Sequence, residues 1–90
     1  MTSKSKHTVV RVQTGVRLES RLLKVLKGLA ELKDMTLGDL LEGMALHALE
    51  GRSPFSKETL GQIAALKKIY GLDLSAKDSH QLTEDADGAS

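Results

Sequence analysis

Residues 10–18 carry the feature that most limits what this chain can fold into. Val10, Val12, Thr14, Val16 and Leu18 fall on one side of a two-residue repeat, and Arg11, Gln13, Gly15 and Arg17 fall on the other. Alternation with valine enrichment predicts a half-buried strand. The N–H and C=O groups of a strand need a neighbouring strand, and the sequence offers no second segment of this kind. The simplest partner is the same strand from another copy, paired antiparallel about a two-fold axis. Gly15 marks either a bulge or the end of the strand.

From Ser20 the period becomes helical. Leu22, Leu23, Val25, Leu26, Leu29, Ala30 and Leu32 form one apolar stripe, with Glu19 and Ser20 at its start. Gly28 lies inside that stripe, where it costs about 1 kcal/mol against alanine and suits close helix packing. Asp34 and Met35 break the pattern. Thr36 then caps a second apolar run from Leu37 to Leu49, with Asp39 three residues on and Gly51 at its end. A third helix is expected from about Ser56 to Tyr70, closed by Gly71, with Leu72 and Leu74 folding back as an anchor.

With 90 residues and no cysteine, the chain is the size of one domain, without disulfide staples or a thiolate metal site. No apolar run reads as a signal peptide or membrane span, so a cytoplasmic location and no membrane partner are expected. The net charge of +1 hides an asymmetry. Residues 1–28 carry seven Lys/Arg against one acid, and residues 29–90 carry six against eleven. The basic end suits a polyanion. His7, His47 and His80 lack metal-ligand spacing, and no nucleophile-base or paired-carboxylate arrangement is recognisable. No metal, cofactor or catalytic residue is therefore expected.

Over residues 9–50, the order of one strand, a helix, a short turn and a Thr-initiated helix resembles the ribbon-helix-helix family of DNA-binding regulators. That resemblance implies a mainly α fold, with one N-terminal strand per chain paired in an intertwined homodimer. The paired strands of such a dimer enter the major groove of double-stranded DNA. On this sequence the base-reading positions fall on Arg11, Gln13, Gly15 and Arg17. The second helix would aim its start, Thr36, Leu37 and Gly38, at a phosphate. Lys4 and Lys6 would add phosphate contacts from a flexible arm, and whether dimers associate further on adjacent sites is left open by the sequence. Asp34 stands where the family usually has glycine, and Gly15 leaves a gap in the reading face.

The expected organisation is a basic arm over 1–8, a ribbon-helix-helix unit over 9–51, a helical extension over 52–74 and a disordered acidic tail over 75–90. The function expected from the resemblance is sequence-specific DNA binding as a transcriptional repressor or plasmid-type regulator. Two other readings stand beside it. One is an antitoxin that binds a toxin through its C-terminal segment. The other is a structural dimerisation or protein-interaction module that binds no DNA, in which Arg11 and Arg17 serve solubility.

Overall fold

A computed structural model describes residues 7–84. It has three α-helices, α1 (Ser20–Leu32), α2 (Leu37–Leu49) and α3 (Lys57–Tyr70), followed by a 3-10 turn over Ala76–Asp78. Each α-helix starts on a side-chain cap. Glu19 accepts from the Leu22 N–H, Thr36 Oγ1 from the Asp39 N–H at 3.0 Å, and Ser56 Oγ from the Thr59 N–H at 3.1 Å. One orphan N–H is thereby satisfied at each helix start.

The three helix ends share one geometry. Asp34, Gly51 and Gly71 all have positive φ, at 56°, 72° and 68°. In each case the following N–H reaches back to a carbonyl five residues earlier: Met35 to Ala30 at 3.0 Å, Arg52 to His47 at 2.9 Å and Leu72 to Lys67 at 2.9 Å. These are Schellman closures, which favour glycine because a Cβ is strained there. Aspartate is among the few other residues that tolerate this conformation, so Asp34 fills the position expected of it.

α1 is the central helix. It packs against α3 and, less extensively, against α2, while the backbones of α2 and α3 stay apart. Leu26, Leu29, Ala30 and Leu40 form the buried core, with Leu29 only 1 % exposed. Leu22, Met44, Phe55, Ile63 and Leu66 close around them. Gly28 has a contact reason. A Cβ there would meet Leu66 Cδ2 at 3.1 Å, so its absence lets α3 lie close against α1. The N-terminus of α1 is also tied to the end of α3. Arg21 donates through Nη1 to the Gly71 carbonyl at 3.0 Å and to Asp73 at 3.1 Å, and through Nε to Glu19 at 3.0 Å.

The expected strand is absent. Residues 9–18 have no regular secondary structure, and the described residues form an all-helical bundle without any sheet. The ribbon-helix-helix assignment and its intertwined, strand-paired dimer are therefore corrected. The reason is physical. Alternation reports a side-chain preference, whereas a strand is made by backbone pairing, and none of the described residues pairs with this segment. Among the described residues, no backbone–backbone hydrogen bond involves residues 9–18. Its apolar side is not buried either, with Val10 91 % exposed. α3, expected only as an extension, instead supplies the larger part of α1's packing.

Candidate functional site

Residues 10–18 pass over the start of α2 and leave an open groove of about 1140 Å³ between that segment, α1 and α2. Two expected sets of site residues meet there. Arg11, Gln13 and Gly15 line one wall and Thr36, Leu37 and Gly38 the other, with Leu23 and Leu41 on the floor. Arg17 is not part of this groove. It pairs with Glu84 near the far end of the described chain. Lys4 and Lys6 lie outside the described residues.

One bidentate ion pair spans the groove. Arg11 donates through Nε to Glu42 Oε2 at 2.8 Å and through Nη2 to Glu42 Oε1 at 2.9 Å. Two parallel bonds give such a pair a fixed geometry. The Arg11 hydrogen bond, with its charge, holds the Glu42 carboxyl below its usual range, against a smaller opposing effect of desolvation. Arg11 therefore fastens the N-terminal segment to α2.

These observations also correct the DNA reading. Its two arginines were expected to project from a paired ribbon into the major groove. No ribbon forms, Arg11 is engaged by Glu42, and Arg17 is engaged by Glu84. Without the strand there is no rigid element to carry alternate side chains to base edges. Recognition of double-stranded DNA, and the roles of repressor and plasmid-type regulator that rest on it, are set aside. Thr36 keeps its structural role as the cap of α2.

α2 dominates what this face offers instead. Its sequence is apolar nearly all round, yet Leu40 is its only buried residue. Every residue from Ala45 to Glu50 is exposed, including Leu46 and Leu49. Val10, Val12 and Val16 of the groove wall are exposed as well. Asp39 and Glu42 supply negative charge on the groove wall, and Arg11 and Lys27 supply positive charge. His47 takes no part in it, since its Nδ1 sits 2.8 Å from the Gly43 carbonyl of its own helix. Among the described residues, no three His, Cys, Asp or Glu side chains gather as a metal site would require. No helix there is long and apolar enough to cross a membrane.

Sequence reasoning missed three of these features. The Arg11–Glu42 and Arg21–Asp73 pairs join residues 31 and 52 positions apart, and no local pattern announces them. The exposure of α2 had a visible signal in its composition, because a helix apolar on all sides needs cover on all sides. Comparison with family models, with curated proteins and with solved structures returns no match for this chain.

Proposed function

We propose that this chain is a structural interaction module with no catalytic role, and that the occupant of its apolar face is a second copy of itself. The observation that carries this reading is the uncovered surface formed by Val10, Val12 and Val16 with the second half of α2. Contiguous apolar surface of this kind, rimmed by charge, is the usual mark of a protein–protein contact.

Magnitudes favour a second copy over a polar partner. Full burial of a Val or Leu side chain stabilises by roughly 1.5–3 kcal/mol. Five such side chains on each of two copies offer at most roughly 15–30 kcal/mol, against about 4–15 kcal/mol for lost rigid-body freedom. The side chains of one copy alone offer about half of that, which lies within the range of the cost. The mixed charge of the groove is also suited to a two-fold contact, which sets cation against anion in both directions.

Sedimentation equilibrium of the full chain over a hundredfold concentration range tests this. The expected result is a concentration-dependent dimer that becomes monomeric in the double variant Leu46→Glu/Leu49→Glu, with helical circular dichroism retained. A wild-type chain that stays monomeric at millimolar concentration overturns the proposal.

A further inference from the structure

A second cavity, of about 400 Å³, lies on the opposite side of α1, away from the groove. Leu22, Leu26 and Leu29 of α1, Met44 of α2, Ile63 of α3 and Phe55 form its walls. These side chains belong to the core or pack against it, so the cavity opens directly onto the buried cluster. Its size falls within the range of sites that enclose small molecules, about 300–1,000 Å³, and its predominantly apolar lining is typical of them.

The roof is a built element. Residues 72–82 cross the cavity, with Leu72, Leu74 and Leu82 facing it. Three devices fix this strap. Arg21 holds its start through the Gly71 carbonyl and Asp73. Asp78 accepts from the Ser75 N–H at 2.8 Å, while Ser75 Oγ accepts from the Lys77 N–H at 3.3 Å, closing a capping box. His80 turns the chain with a φ of 68°. Arg21 thus anchors the start of the strap to α1, and the capping box and the turn at His80 give the rest its local shape. Apolar pockets of this size take up apolar guests.

The polar groups at the mouth are few, and Lys67 and Asp78 bring one charge of each sign. Lys67 of α3 is half-buried at the rim, and among the described residues no carboxylate lies within ion-pair distance of it. Asp78, the acid at the rim, is occupied by the Ser75 N–H. His80 is also at the rim and is exposed. A guest therefore meets hydrocarbon inside and, at the entrance, a Lys67 ammonium without an ion-pair partner among the described residues beside an Asp78 carboxylate held by its own backbone.

We propose that this cavity binds an amphipathic monoanion, a medium-chain carboxylate, with its hydrocarbon tail among Leu22, Met44, Phe55 and Ile63 and its head group on Lys67. This site is separate from the self-association face, and its test reads different residues. Octanoate and 1-octanol are titrated into the full chain and followed by methyl NMR. The expected result is saturable shifts at Leu22, Leu26, Met44 and Ile63, with Val10, Leu46 and Leu49 unmoved. Lys67→Gln is expected to weaken octanoate about tenfold, the loss of one charge-assisted contact, and to leave 1-octanol unchanged. Lys67 is exposed enough for that variant to fold, and Met44→Phe, which narrows the cavity, should weaken both probes. Absence of saturable octanoate binding overturns the proposal. So does octanoate binding that is indifferent to Lys67→Gln, or shifts confined to the exposed face of α2. Loss of self-association in Leu46→Glu/Leu49→Glu leaves this result untouched, so the two readings fail separately.

Discussion

The two sides of α1 contrast sharply. Toward α3 it is fitted closely. Gly28 admits Leu66, Leu29 is fully enclosed, and Arg21 ties the start of α1 to the end of α3. Toward α2 and residues 9–18 it is loosely covered. α2 buries one residue of its own, and the valines of the N-terminal segment stand in solvent. Both sides are built from the same apolar residue types, so composition does not explain the difference. One side has its partner within the chain, and on our reading the other receives it from a second chain.

Substitution on each side separates them most strongly. Leu29→Ala removes a fully enclosed side chain, and a loss of about 2–5 kcal/mol is expected in urea unfolding. Leu49→Ala, at 83 % exposure, is expected to change the stability of the monomer by no more than about 0.5 kcal/mol while weakening self-association. Equal losses at the two positions would show that α2 is buried in a way inconsistent with this fold. Gly28→Val comes next. Its branched side chain must enter the space held by Leu66, and a loss of about 1–3 kcal/mol is expected from thermal unfolding. No loss there would mean that α3 stands further from α1.

How far these features were legible in the sequence follows from the range of the forces involved. Thr36 and Ser56 act on N–H groups three residues away, and the Schellman closures at Gly51 and Gly71 span one turn. Such signals are complete within a short window, so the helices lie where periodicity and capping residues place them. Gly28 was readable as a packing glycine, though not its contact with Leu66. The segment from Val10 to Leu18 shows the opposite case. Its alternation is real, but whether it becomes a strand depends on a partner that no window contains. The groove's wall residues were singled out for a ribbon, while the Glu42 that engages Arg11 belongs to another helix and was not.

Smaller effects sharpen the comparison. The Glu42 carboxyl lies below its ordinary value of 4.5 because Arg11 bonds and faces it. Its contribution is thus fully present above that value and is lost as pH falls through the lowered one. In an NMR titration Glu42 should titrate below 4.5, with the Arg11 Nε–H resonance moving in step. Titration at the ordinary value would mean that residues 9–18 are not fastened to α2. Smallest of all, Asp34→Gly relieves a left-handed residue whose φ is 56° and should stabilise the chain by about 0.5–1 kcal/mol in thermal melts. A loss of stability would indicate that the Asp34 side chain contributes more than its backbone conformation costs.

The most direct measurement is a dilution series of methyl NMR spectra on the full chain. If the uncovered side of the molecule is where a second copy sits, the methyl resonances of Val10, Val12, Val16, Leu46 and Leu49 move with protein concentration. Those of Leu29, Ile63 and Leu66 hold still. Movement at the enclosed α1–α3 side, or no movement anywhere up to millimolar concentration, contradicts the account.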